Sequence, residues 1–326
     1  MKSKNHVPGM ILPFSLFFLL WVTGNTLGAQ VTKSDLPELT GPYLGQEPPG
    51  KELKPFAREF FDSRFIKYHS CISFSSDGKE AYWQGMLNDE TRNQAIFVSK
   101  LENGYWTAPM VSSFSISIKG CMDDSPFISP DGRRLFFVSS RPIENGGKPG
   151  EEHIWVVDRT NEGWSDPKPI PLILQSSDEE IHWRISVDRR NNLYFGTWQG
   201  EKGTSRTTGY IYVSKYEDDR YCKPERLPST INREGAYNFC PQIAPDGSYM
   251  ILNRDVLYCS FKKKDGTWTE AKRIDSVEWE ESFVPSLSTD GKYLFLIRFL
   301  KEESRLFWIE TSFIGDLRKE GLKNDN

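Results

Sequence analysis

The sequence predicts an all-β fold, a single β-propeller built from four-stranded antiparallel blades. Three observations support this prediction. A strand–turn–strand pattern recurs five times along the 326 residues, further extended segments follow each copy, and the last copy lacks an outer segment that a spare stretch before the first copy can supply. Repeats of ~40–60 residues with four strands each are typical of propeller blades.

The recurring pattern centres on an aspartate that stands between two apolar strands. The five aspartates follow one another at intervals of 54, 57, 58 and 44 residues, and they are Asp77, Asp131, Asp188, Asp246 and Asp290. Asp-Gly between two strands favours a hairpin, because the turn needs a positive φ and the aspartate side chain bonds its own backbone. The third repeat has Arg189 in place of glycine, so we expect a longer turn there.

The remaining strands of each blade follow the turn in order. The second strands are predicted at 81–83, 135–138, 193–195, 249–252 and 293–296, and the third at 96–98, 154–157, 211–213, 257–259 and 306–309. Four repeats then show an aromatic residue with Pro or Ala three positions on: Trp106 and Pro109, Trp164 and Pro167, Tyr221 and Pro224, Trp268 and Ala271. Proline is compatible with an edge strand, so these segments are predicted as the outer strands.

The two ends of the chain indicate how the ring closes. The fifth repeat ends after Ile309 without a fourth strand, whereas residues 53–61 form a spare extended segment ahead of the first repeat. We therefore expect this N-terminal strand to complete the last blade, which makes the count five. A sixth, degenerate blade is the alternative.

The repeats also resemble a known family. The segments 74–78, 128–141 and 287–296 resemble the WD-like repeats of exported TolB-like propellers, and 43–50 resembles the opening of exported proteins built wholly from such repeats. The resemblance covers residues 43–318 and implies the propeller fold. It leaves function open, because such repeats serve docking proteins, peptidase-associated propellers and carbohydrate-active enzymes.

The N-terminal 29 residues have the layout of a secretory signal peptide. Two lysines precede an apolar run from Met10 to Val22, no acidic residue occurs, and small residues follow up to Gly28 and Ala29. We expect cleavage near Gly28 or Ala29 and a periplasmic or secreted mature protein without a membrane span. The predicted organisation is a signal peptide at 1–29, an N-terminal extension at 30–50, the propeller at 51–318 and a polar tail at 319–326.

Composition narrows the classes of partner. The formal charge of −4 offers no basic footprint for nucleic acid, and we expect a monomer that binds a glycan or an envelope protein. Five cysteines, an odd number, leave at least one free thiol in an oxidising compartment: Cys71, Cys121, Cys222, Cys240 and Cys259. Their pairing stays open at this point.

A ligand site is predicted at one mouth of the central channel, where the chain enters each innermost strand. Eight positions before the turn aspartates stand the polar residues His69, Asp123, Glu180, Asn238 and Ser282. The columns five and three positions before the aspartates are apolar, and simple alternation places them on the opposite face of each strand. Further candidates for ligand binding at this mouth are His182, Arg184, Tyr237, Trp198, Arg141, Arg254 and Arg298.

The chemistry of this mouth leaves three functions open. The sequence has no G-x-S-x-G, H-E-x-x-H or glycine-rich phosphate loop, so we expect no cofactor and treat calcium at Asp123, Asp124 or Glu180 as a minor alternative. The first reading is a non-catalytic exported propeller that binds a glycan, peptide or envelope protein. The second is a glycoside hydrolase or polysaccharide lyase, with catalytic candidates Asp123, Asp124, Glu180 and Glu281. The third is a pure protein-interaction scaffold.

Overall fold

The computed structural model describes ten stretches of the chain. They are residues 38–61, 70–86, 94–115, 120–143, 152–172, 174, 179–199, 208–275, 282–299 and 304–322. Within them, only the backbone is described for residues 179, 180, 182, 183, 282, 299, 304 and 320–322. The strands of these stretches form five antiparallel sheets of at least four strands, and the innermost strands of successive sheets contact one another. The prediction of a five-bladed propeller is therefore confirmed.

Each blade follows the predicted order of strands. The chain begins with β1 (Lys54–Pro55) and α1 (Arg58–Phe61). Blade 1 contains β2 (Ser73–Phe74), β3 (Glu80–Met86), β4 (Gln94–Glu102), β5 (Tyr105–Trp106) and β6 (Met110–Val111). Blade 2 contains β7 (Asp123–Ile128), β8 (Arg134–Ser139), β9 (His153–Thr160), β10 (Gly163–Trp164) and β11 (Lys168–Pro169).

The other three blades repeat this plan. Blade 3 contains β12 (Glu179–Val187), β13 (Leu193–Gln199), β14 (Thr208–Ser214) and β17 (Glu225–Arg226), with the hairpin β15 (Tyr216–Glu217) and β16 (Arg220–Tyr221) beside them. Blade 4 contains β18 (Phe239–Ile243), β19 (Tyr249–Asn253), β20 (Leu257–Phe261) and β21 (Lys272–Arg273). Blade 5 contains β22 (Ser282–Leu287), β23 (Tyr293–Phe299) and β24 (Ser304–Glu310).

The turn aspartates explain why the pattern recurs. In all five turns the aspartate Oδ1 accepts a hydrogen bond from the backbone N–H two residues on, at 2.9–3.1 Å. Four turns then place glycine at a φ of 66–75°, which is costly for other residues. The third turn is one residue shorter, with five residues between the paired Val187 and Leu193 against six between Ile128 and Leu135 in blade 2, and Asn191 takes the left-handed conformation with a φ of 61°. The longer turn predicted from Arg189 is therefore wrong, because Asn191 supplies the left-handed residue without any added residue.

The N-terminal strand closes the ring as predicted. β1 pairs antiparallel with β24, so that Lys54 lies opposite Trp308 and the fifth blade gains its fourth strand. Phe56 packs edge-on against Phe74 of blade 1 and against Phe295 and Trp308 of blade 5, with ring centroids 4.9–5.8 Å apart. The spare segment does not remain extended, because residues 58–61 form α1 and bury Phe60 and Phe61.

The innermost strands are bulged, and this changes which face their side chains occupy. In blades 2, 4 and 5 an extra residue lies between the two halves of the strand, and in each case it has a positive φ: Ser125, Cys240 and Val284. Such a bulge reverses the alternation of side chains beyond it. The prediction that residues eight and three positions before the aspartate face opposite sides is therefore wrong in these blades. Asp123 and Ile128, for example, share one face.

The C-terminal end carries a helix that the sequence pattern did not predict. α2 (Phe313–Leu322) packs on the fourth and fifth blades through Ile314 and Leu317, within a cluster that includes Phe261 and Ile309. The polar tail predicted at 319–326 therefore begins inside a helix. Neither helix of the described chain has the length and apolar character that crossing a membrane requires.

Candidate functional site

The mouth at which the chain enters the innermost strands contains a repeated arginine contact. In blade 2 the Arg141 Nη2 lies 2.8 and 2.7 Å from the two carboxylate oxygens of Asp123 and also donates to the carbonyl oxygen of Phe114. Ser115 donates to the same carboxylate at 2.7 Å. Asp123 is 5% exposed, so this candidate acid is enclosed in an ion pair.

Asp124 points to the other face of the strand, towards blade 3. There it meets Arg184, whose Nη1 lies 3.5 Å from Asp124 Oδ1 and donates to Ser125 Oγ at 2.7 Å. Arg184 occupies the bulge of blade 3 with a φ of 87°, and both side chains are buried. The two candidate acids whose side chains the structure describes are thus both bound to arginines, on opposite faces of one strand.

The bulged residues leave little room along the axis. Cys71, Ser125, Arg184 and Val284 line a cavity of about 20 Å³ at the centre of the ring, which suits one water molecule. Burial raises the pKa of the Cys71 and Cys240 thiols to about 12. These thiols are therefore protonated at neutral pH and poor nucleophiles. All five cysteines are free in the structure.

Blade 4 repeats the arginine contact with a different partner. Arg254 Nε donates to Asn238 Oδ1 at 2.8 Å, and its Nη2 donates to the carbonyl oxygen of Ile231. The Asn238 amide donates in turn to the carbonyl oxygens of Gly209, Arg233 and Ala236, at 2.9–3.1 Å. Asn238 therefore ties the loop between blades 3 and 4 to the end of the second strand.

An aromatic stack lies beside this contact. The rings of Tyr237 and Phe239 are stacked with centroids 4.6 Å apart, and both residues are half-buried. The Tyr237 ring covers Gly209, where an added Cβ would lie 2.5 Å from the ring, and Gly209 pairs with Trp198 across the blade 3 sheet. Glycine at this position thus makes the space that the tyrosine ring fills. A half-exposed aromatic surface of this kind can stack on an apolar ligand face.

The structure brings together some of the predicted residues and not others. Tyr237, Asn238 and Arg254 form one contiguous group, and Trp198 lies in register with Gly209 beneath the tyrosine ring. Arg298 lies in β23 with its guanidinium 5.3 Å from the Phe307 ring centre. Glu180 and His182 lie in β12, but their side chains are outside the description, and His69 and Glu281 lie outside the described residues altogether.

Sequence reasoning missed two members of the group. Phe239 follows Asn238 and stacks on Tyr237, and Arg233 lies in the loop that Asn238 holds. The alternation of aromatic and polar residues at 237–239 is a signal that could have identified Phe239. In the described part of the chain no three His, Cys, Asp or Glu side chains converge as they would around a metal ion, and calcium stays a prediction.

Comparisons with known proteins show similarity of fold only. No family model and no curated protein matches the sequence. Among solved structures, a putative TolB from Agrobacterium tumefaciens is 15% identical with a TM-score of 0.44, covering 74% of this chain and 76% of its own. An oligogalacturonate lyase from Vibrio parahaemolyticus is 11% identical with a TM-score of 0.40, covering 79% and 96%. A puromycin hydrolase is 13% identical with a TM-score of 0.44, and the match covers 79% of this chain but 39% of the hydrolase.

Proposed function

We propose that the protein is an exported, non-catalytic propeller that binds a glycan, peptide or envelope protein at the channel mouth. The observation that carries this proposal is the pairing of Asp123 with Arg141 and of Asp124 with Arg184. A glycosidase needs one carboxyl group to donate a proton and a second to act as base or nucleophile. Carboxylates that are buried in ion pairs with arginines are shielded from substrate, so they suit a structural role.

The binding surface that we propose is the stack of Tyr237 and Phe239, at the junction of blades 3 and 4. Loops of several blades converge on such a mouth, and the rigid ring beneath holds them in place. The rings are half-buried and therefore partly available to a ligand. Export rests on the signal-peptide pattern of residues 1–29, and a monomeric state remains part of the proposal.

The experiment compares the mature protein with Tyr237→Ala and Phe239→Ala on glycan and peptide arrays, followed by titration of each ligand found. We expect either change to weaken binding about 5- to 30-fold, the effect of removing an aromatic anchor. Tyr105→Ala is the matched control, because Tyr105 is 51% exposed on the outer edge of blade 1, away from the mouth. Unchanged affinity in both mouth variants would locate the site elsewhere.

A product assay on the same ligands tests the non-catalytic part of the proposal. We expect no chain cleavage by the wild-type protein over prolonged incubation. Cleavage that is lost in Glu281→Gln or Asp123→Asn, with ligand binding retained, would instead establish a carbohydrate-active enzyme. Partner binding without any glycan or peptide specificity at the mouth would favour the scaffold alternative.

A further inference from the structure

The arginine contacts of blades 2 and 4 occupy the same place in two copies of the repeat. Each arginine follows the second strand of its blade, and each donates to the residue eight positions before the turn aspartate. Each also donates to a carbonyl oxygen of the loop that leads into the blade, that of Phe114 in blade 2 and that of Ile231 in blade 4. The two sites therefore differ mainly in the acceptor, which is Asp123 in one and Asn238 in the other.

This difference leaves Arg254 without a carboxylate hydrogen-bond partner in the described part of blade 4, where its guanidinium lies over the Tyr258 ring at 4.5 Å from the ring centre. Asp123 neutralises Arg141, whereas the Asn238 amide offers Arg254 a hydrogen bond and no charge. The side-chain amide of Asn238 cannot flip to exchange its oxygen and nitrogen, because the nitrogen already donates to three carbonyl oxygens. Arg254 is only 9% exposed, and an arginine in such a place is normally paired with an anion.

A second arginine adds to the same charge. The Asn238 amide nitrogen donates to the backbone carbonyl oxygen of Arg233, and the oxygen of the same amide accepts from Arg254. The side chain of Arg233 is exposed and forms no ion pair with any residue in the described stretches. Burial and the charge of Arg233 lower the pKa of Arg254. Of the nearby acids, Asp255 accepts a hydrogen bond from Tyr258, and Glu270 is exposed and forms no ion pair with Arg254 within the described chain.

Gly209 joins the aromatic stack to the amide that binds Arg254. The Tyr237 ring covers Gly209, and the carbonyl oxygen of the same glycine accepts the hydrogen bond from Asn238. The rings of Tyr237 and Phe239, the Asn238 amide and Arg254 therefore form one continuous set of contacts, with the backbone of Arg233 bound to the same amide. Rings that stack on an apolar face, next to guanidinium groups that bind an anion, match the two sides of an acidic sugar.

We propose that Arg233 and Arg254 bind the anionic group of an acidic glycan whose sugar ring stacks on Tyr237. The inference rests on the proposed function and names its ligand class. A carboxylate is planar and a sulfate ester is tetrahedral, and guanidinium groups bind the oxygens of either through paired hydrogen bonds. Blade 2 supplies its own anion in Asp123, and so we assign ligand binding to blade 4.

The test titrates the mature protein with three oligosaccharide probes: alginate oligosaccharides for carboxylate, dextran sulfate for sulfate and dextran as the neutral chain. We expect one of the acidic probes to bind at least tenfold more tightly than dextran, with affinity that falls as salt rises. Arg233→Gln should weaken that binding about tenfold or more, and Arg233→Lys should weaken it less. Because Arg233 is exposed and its backbone carries the structural bond, thermal stability should stay unchanged.

Arg220→Gln is the matched control, because Arg220 is an exposed arginine on the outer hairpin of blade 3. Equal losses of affinity in Arg220→Gln and Arg233→Gln would show that the effect comes from the overall charge of the protein, and would overturn the inference. Failure of both acidic probes to bind would overturn it as well. The proposed function fails separately, when Tyr237→Ala leaves the binding of every ligand unchanged.

Discussion

The closure of the ring offers the sharpest test of the fold, through the substitution Phe56→Ala. Phe56 is 1% exposed and contacts Phe74, Phe295 and Trp308, so one side chain from the N-terminal segment joins the first blade to the fifth. Replacing a buried phenylalanine with alanine costs about 3–5 kcal/mol through lost burial and the cavity left behind. We expect the upper part of this range, because strand pairing on both sides hinders collapse of the cavity and three ring contacts are lost.

Urea denaturation followed by tryptophan fluorescence measures this loss as a change in the midpoint and slope of unfolding. Lys54→Ala is the matched control, since Lys54 is an exposed neighbour in β1 and should change stability by less than about 0.5 kcal/mol. A loss below about 1 kcal/mol in Phe56→Ala would refute the argument that this segment locks the blades together. Equal losses in the two variants would refute it too.

Three further predictions concern other parts of the ring. Burial alone would raise the pKa of Glu80, but the hydrogen bonds and charges of Arg159 and Lys100 lower it from its ordinary value. This stabilisation is present above the unfolded pKa and is lost as the pH falls through the lowered folded value. The difference in unfolding free energy between wild type and Glu80→Gln should therefore narrow as the pH falls below the ordinary glutamate pKa of about 4.3, and parallel curves would contradict this. Gly209→Ala places a Cβ 2.5 Å from the Tyr237 ring. We expect it to lower the free energy of unfolding by about 1–3 kcal/mol in urea denaturation, and to weaken ligand binding in titrations. Mass spectrometry after brief thiol labelling should find Cys222 as the main modified cysteine, because the other four are buried, whereas labelling in urea should modify all five.

The repeats show how far local sequence reaches. Asp77 and Asp131 mark turns because an aspartate that bonds its own backbone, followed by glycine, is a local device that acts the same way in four of the five blades. The closing strand was predictable for a similar reason. A blade that lacks its outer strand and a spare segment at the other end complement each other, and β1 pairs with β24 as expected.

The candidate site was predictable only in part. The polar column eight positions before the aspartates contains Asp123 and Asn238, which accept hydrogen bonds from Arg141 and Arg254 at equivalent places in blades 2 and 4. It did not indicate that Asp123 is enclosed by Arg141, because that contact joins two strands whose relative register follows from the bulge. Nor did it indicate the central role of Arg184, which reaches from blade 3 to Ser125 in blade 2.

By itself, the sequence determined the class of fold, the number of blades, the order of the main strands within each blade, and four of the five turns that join the first two strands. These features repeat, and they depend on residues close together in the chain. The tertiary structure decided which faces the side chains occupy, because one extra residue in an inner strand reverses the alternation beyond it. It also decided which charges are neutralised, since Arg141 has a carboxylate and Arg254 an amide only once distant strands have paired.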